Sequence, residues 1–147
     1  MDELRDFICQ MEIAVLEESS LYEIPLGSVD MVTPPVKHGP WPAATCAAVL
    51  QVWHTAGWIG LHLPEHPRGW NIVAADWCTR LVDGGSLIGP DAEELLNHPE
   101  RWILGHAGGH AAPYRTAAGE TTPWEQWYGP ALETAQHLPL KPHDSKS

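Results

Sequence analysis

Residues 42–63 read PAATCAAVLQVWHTAGWIGLHL, and a change of period inside this stretch decides the fold. From Pro42 to Ala56 apolar residues recur at helical spacing, with Cys46, Val49, Leu50 and Trp53 on one face. Pro42 suits a first helical turn, and Gly57 suits the left-handed residue that ends a helix. From Trp58 the period becomes two. Ile59, Leu61 and Leu63 fall on one side and Trp58, Gly60 and His62 on the other, the pattern of a half-buried strand. Pro64 and Pro67 end it. A helix that hands over to a strand through one glycine is an α+β pattern.

Working toward the C-terminus, the spacing predicts a second helix from about Asn71 to Val82, with Val73, Ala74, Trp77, Cys78 and Leu81 as its stripe. Asp83-Gly84-Gly85 stops it. A short third helix runs from Pro90 or Asp91 to Asn97, burying Ala92, Leu95 and Leu96, and Pro99 breaks it. Trp102-Ile103-Leu104 reads as a strand, Gly105 to Ala112 as a loop rich in glycine, alanine and histidine, and Pro113 to Ala117 as a returning strand. Thr122-Pro123-Trp124-Glu125 has the spelling of a capping box. After it, Trp124, Trp127, Tyr128, Ala131, Leu132 and Ala135 form one helical face, which Gly129-Pro130 is expected to kink or restart. Lys141 to Ser147 is polar and expected to fray.

Working toward the N-terminus, Leu4, Phe7, Ile8, Met11, Ala14 and Val15 mark an amphipathic helix over residues 2 to about 18. Residues 25–42 hold Pro25, Gly27, Pro34, Pro35, Gly39, Pro40 and Pro42, a connector with a short strand through Val29 to Val32. The expected organisation is an acidic helix and connector over 1–40, a core over 41–120, and a C-terminal Trp-rich helix and tail over 121–147.

Between residues 42 and 117 the order is helix, strand, helix, helix, strand, glycine-rich loop, strand. This order resembles a winged-helix domain. The resemblance places Ala92 to Asn97 at the recognition helix and Gly105 to Ala112 at the wing. Such a helix normally presents Arg, Lys, Asn or Gln to DNA. Here it presents Asp91, Glu93 and Glu94, and the wing has neither Lys nor Arg. Eight Lys and Arg against nineteen Asp and Glu leave a formal charge of −11 over 147 residues. Residues 1–30 alone carry eight of those acids and the single base Arg5. Nucleic acid and anionic membrane are therefore excluded as expected partners. A basic protein is expected instead, met by Glu12, Glu17, Glu18, Asp91, Glu93 and Glu94, with Trp124 and Trp127 as apolar anchors. Regulator, inhibitor, immunity factor and DNA mimic all fit that description, and homodimerisation is the simplest use of an exposed Trp face.

A competing reading is a small enzyme or small-molecule binder with a Trp-lined pocket and histidine acid/base groups or metal ligands. Eight tryptophans against one phenylalanine give that reading its material. His62-Leu63-Pro64-Glu65-His66 has the H-x-x-E-H spelling of inverted zinc proteases, but Pro64 opposes the helix that motif needs. His106 and His110 share a loop without a neighbouring Cys or Asp. These four histidines are the metal candidates, and no cofactor is expected. Neither a nucleotide-binding glycine loop nor a G-x-S-x-G turn occurs. Asp76 and Arg80 pair most simply on a helix surface. Cys9, Cys46 and Cys78, unpaired in any short motif, read as small buried apolar residues of a cytoplasmic protein. The chain has no signal-like start and no apolar run near the roughly 20 residues a membrane span needs.

Overall fold

A computed structural model describes residues 2–62, 89–104 and 107–142. Their elements are α1 (Glu3–Leu16), β1 (Ser28–Asp30), β2 (Val36–His38), α2 (Ala43–Thr55), β3 (Ile59–His62), α3 (Gly89–Asn97), α4 (Ala107–His110), β4 (Ala112–Arg115), α5 (Ala117–Thr121) and α6 (Trp124–Ala135). The class is α+β, with two small antiparallel sheets. The helix expected over 71–82, with Trp77, Asp76, Arg80 and Cys78, lies outside the described residues.

The helices form where the apolar stripes require burial. Asp2 caps α1 by accepting from the Leu4 amide at 3.0 Å, and Phe7, Ile8, Met11 and Val15 go into the core. This acidic helix shares one hydrophobic cluster with α2, α3 and α6. Helix α2 lies at the centre, against α6, α3 and α1, and buries Cys46, Val49, Leu50 and Trp53. Trp53 meets Trp127 edge-on, with ring centroids 5.0 Å apart, and donates its indole N–H to the Trp127 carbonyl at 2.9 Å. Trp58 stacks on Trp127 at 5.5 Å. Three indoles thus lock α2, the start of β3 and α6 together, with the polar atom of the buried one satisfied.

Gly57 takes the expected left-handed conformation (φ 85), and Ile59 and Leu61 point inward from β3. Its partner is β4, with Ile59 opposite Arg115 and His62 opposite Ala112. The strand expected at Trp102–Leu104 is not one. Pro99–Arg101 forms a 3-10 turn, and the Ile103 amide bonds back to the Arg101 carbonyl at 2.9 Å instead of to a ladder. Only Trp102 of that trio is buried, its indole N–H donating to the Leu95 carbonyl at 3.0 Å and sealing α3. Nor is Gly105–Ala112 a loop throughout, since α4 occupies 107–110 and β4 begins at Ala112.

The capping box is also replaced. The Thr122 hydroxyl donates to the Ala118 carbonyl at 2.7 Å, finishing α5, and α6 starts after Pro123 without a side-chain cap. Helix α6 continues through Pro130 to Ala135, because burial of Trp127, Ala131 and Ala135 outweighs the missing amide donor. In the connector the expected strand has a partner: β1 pairs with β2, Val29 opposite Lys37 and Asp30 opposite Val36.

Phe7 is fully buried and lies edge-on to Trp41 at 5.3 Å, so it joins α1 to the start of α2. Phe7→Ala is expected to cost about 3–5 kcal/mol. Urea unfolding followed by circular dichroism measures this as a lower midpoint with an unchanged slope.

Candidate functional site

Nine large apolar side chains among the described residues are exposed, and seven of them fall between residues 13 and 36: Ile13, Leu16, Leu26, Val29, Met31, Val32 and Val36. Met31 is 86% exposed. Seven of the nine within one stretch of 24 residues is a concentration along the chain, unlike the usual single scatter of exposed apolar residues. The other two, Ile103 and Leu104, follow the turn after α3.

Register explains how the hairpin sits. Paired residues share a face and neighbours alternate, so Val29 and Lys37 face one way while Ser28, Asp30, Val36 and His38 face the other. The second set meets α1. Ser28 Oγ donates to Gln10 Oε1 at 3.1 Å, and the His38 ring lies 2.9 Å from Asp6 Oδ2 through Nδ1 and 2.9 Å from Asp30 Oδ2 through Nε2. Gly27 starts the hairpin at φ 80, ψ −162, a conformation open in practice only to glycine, and a Cβ there would run into the His38 carbonyl oxygen. The apolar tip at Met31 and Val32 therefore projects from a hairpin pinned at its base.

Beside the hairpin, Gln10, Ile13, Ala14 and Glu17 of α1 face Glu23, Ile24, Gly27, Ser28 and Trp41 across a groove of about 200 Å³. Its two ionisable groups, Glu17 and Glu23, are carboxylates, and both are exposed. The last turn of α1 contains no base, although a helix C-terminus favours cations. Negative potential at this corner is thus built from the side chains and the helix dipole together.

Glu18 points elsewhere. It has a left-handed backbone (φ 52), and its Oε1 lies 2.8 Å from His62 Nε2, close enough for an ion pair but without hydrogen-bond alignment. His62 and Glu18 share a cleft of about 310 Å³ with Val15, Leu16, Tyr114, Arg115 and Glu120. Tyr114 meets the imidazole edge-on at 5.4 Å. Gly60 makes that seat, because a Cβ there would stand 2.6 Å from the phenol oxygen. No tryptophan lines this cleft. The groove with Trp41, and a crevice of about 40 Å³ beside Trp124 and Trp127, contain no histidine. The Trp-lined pocket with converging histidines is therefore not formed in these clefts.

The remaining candidates divide clearly. Glu12 is half-buried near Arg115; burial pushes its carboxyl up from the usual range while Arg115 pulls it down. It is engaged within its own chain. On α3, Glu93 is exposed, while Glu94 lies 3.8 Å from Arg101 and 3.5 Å from His98. Asp91 is half-buried and has interactions of its own. The acidic face of α3 is therefore answered in part by Arg101 of the same chain. Trp127 is only 3% exposed and belongs to the core, which removes it as a partner anchor; Trp124 is half-buried against that core.

Of the metal candidates, His110 is buried with its ring 5.0 Å from Tyr22, and His62 faces Glu18. His66 and His106 lie outside the described residues. Among the described residues no three His, Cys, Asp or Glu side chains gather in a way that would hold a metal ion. Cys46 is buried, with its thiol pushed up to about 12 by desolvation, so it packs as an apolar group. The hairpin surface escaped sequence reading because its residues were assigned to a connector. The available signal was the run Val29, Met31, Val32 and Val36, apolar residues flanking two prolines just after the most acidic part of the chain.

No protein-family model, curated protein or solved structure matches this chain.

A carboxyl raised by burial makes folding more favourable when it is protonated, and that contribution is lost as pH rises through its raised value. Glu12→Gln is therefore expected to raise the thermal midpoint at pH 7. The gain over the unsubstituted chain should shrink toward pH 4, where both carry a neutral group. Paired melts at the two pH values test this.

Proposed function

We propose that the chain is a non-catalytic protein-binding module that docks a basic protein on the face formed by the β1–β2 hairpin and the C-terminal half of α1. The observation that carries this reading is the exposed apolar set centred on Met31, which follows directly on the acidic first thirty residues. Met31, Val32 and Val29 would supply desolvated contact, and Glu17 and Glu23 a carboxylate rim that speeds encounter and rejects anionic surfaces. A second copy is the weaker occupant, since it would bring the same carboxylates to the same place. The Trp124 side chain keeps a smaller role at the edge of α6.

The winged-helix reading of residues 41–120 is retained as a proposal. In its favour, α2, β3, α3 and β4 follow in that order and β3 pairs with β4. Against it, the middle strand is absent at 102–104 and α4 stands in the wing segment. With carboxylates on α3, a core of this kind serves recognition of protein rather than DNA. A cytoplasmic location accompanies the proposal, and inhibitor, immunity factor, DNA mimic and regulator remain uses of one binding chemistry.

The test is capture with the whole chain as bait, identification of what binds by mass spectrometry, and binding measurements with the purified partner. The expected partner has a basic surface and binds more weakly as salt rises. Replacing Met31 and Val32 together with serine should weaken binding at least tenfold, about 1.4 kcal/mol. Failure to recover a partner, or equal binding by the doubly substituted chain, overturns the proposal.

A further inference from the structure

We propose that His38 is a proton-operated clamp, which holds the β1–β2 hairpin against α1 while its imidazole carries two protons and loosens it when one is lost. The geometry makes this assignment. Nδ1 lies 2.9 Å from Asp6 Oδ2 and Nε2 lies 2.9 Å from Asp30 Oδ2. An ionised carboxylate only accepts, so both ring nitrogens must donate, and only the imidazolium has two N–H groups. In either neutral tautomer one nitrogen lone pair faces a carboxylate oxygen at that same distance, and the contact becomes repulsive.

The three residues belong to three elements: Asp6 to α1, Asp30 to β1 and His38 to β2. One ring therefore ties both strands to the helix. The His38 side chain is 12% exposed, which limits how far water can replace a lost partner. Neutral groups also hold the hairpin: the exposed Ser28–Gln10 hydrogen bond and, at its base, a Trp41 amide bond to the Pro25 carbonyl at 2.9 Å. The charged groups facing the ring are Asp6 from α1 and Asp30 from β1, while Lys37, the neighbour on β2, is turned to the opposite face of the hairpin.

Hydrogen bonds to Asp6 and then to Asp30 hold His38 above its ordinary value of 6.5, with partial burial opposing them. The sign follows from that direction. The clamp is complete below about pH 6.5 and is lost as pH rises through the raised value. Loss of the proton also makes the hairpin face one charge more negative and removes the fixed seat of Met31 and Val32. For the docking surface proposed above, on which this consequence rests, the posture of the apolar tip becomes pH-dependent.

The experiment uses the whole chain without a partner. Nuclear magnetic resonance from pH 5 to 9 follows the His38 ring and amide hydrogen exchange across residues 28–38, corrected for intrinsic base catalysis. Hairpin protection is expected to fall severalfold with the same midpoint as the ring. Asp6→Asn and Asp30→Asn should each lower that midpoint, and His38→Gln should abolish the step. Protection that stays flat through the ring titration, or a step that persists in His38→Gln, overturns the clamp. If His38→Gln does not fold, Asp30→Asn decides alone, because Asp30 is exposed and its midpoint must still fall. A missing protein partner would remove the docking reading and leave this result intact, and a failed clamp would leave docking standing.

Discussion

Burial of one side of α1 is the constraint from which the rest of the molecule follows. Phe7, Ile8, Met11 and Val15 must leave water, and they do so against α2, β4 and α6. The acids Asp6 and Glu12 ride on the same helix and Glu17 and Glu18 follow directly on its last turn, so seating the stripe also fixes where the negative charge points. Each acid meets a different neighbour: His38 for Asp6, Arg115 for Glu12, an open groove for Glu17 and His62 for Glu18. Like charges on a solvated arm would repel one another and spread. On a buried helix they become a patterned surface, some paired within the chain and some open to solvent.

Elements whose signal was local and periodic were legible in the sequence. The α1, α2 and α3 stripes, the Gly57 stop, the inward side of β3 and the packing face of α6 stand where spacing puts them. The misassigned pieces depend on contacts remote in sequence. Trp102-Ile103-Leu104 has the composition of a strand, yet β3 is taken by β4, and only Trp102 finds a place in the core. Thr122 has the spelling of a cap, but its hydroxyl reaches back to Ala118 because α5 ends there. Pro130 looks like a break, and buried Trp127 and Ala131 carry the helix past it. In each case tertiary packing overrode a local preference.

The candidate site was legible in charge and not in shape. Acidity over the first thirty residues is plain from composition, and it carries the expectation of a partner other than nucleic acid. Which carboxylates are free is not. Glu12 and Glu94 look equivalent to Glu17 and Glu93 until Arg115 and Arg101 are placed beside them. The tryptophans misled in the opposite direction. A cluster at i and i+3 on a terminal helix resembles an anchor pair, but Trp127 packs against Trp53 and Trp58 and is buried.

The two halves of the hairpin surface depend on each other. A hairpin of two three-residue strands with an apolar tip has little to stabilise it alone, and isolated two-stranded ribbons are marginal in water. Its position is kept by side chains on its inner face, His38 and Ser28, which reach α1. Replacing the exposed tip residues with polar ones would leave that inner face intact, whereas removing His38 would leave the tip apolar but unseated. The chain thus separates the exposed apolar tip from the side chains that seat it. That separation requires the carboxylate pair Asp6 and Asp30 to stand close together across a single ring, a costly arrangement unless a positive charge lies between them. The proton on His38 supplies that charge, so the shape of the contact surface is tied to a protonation equilibrium and not to packing alone.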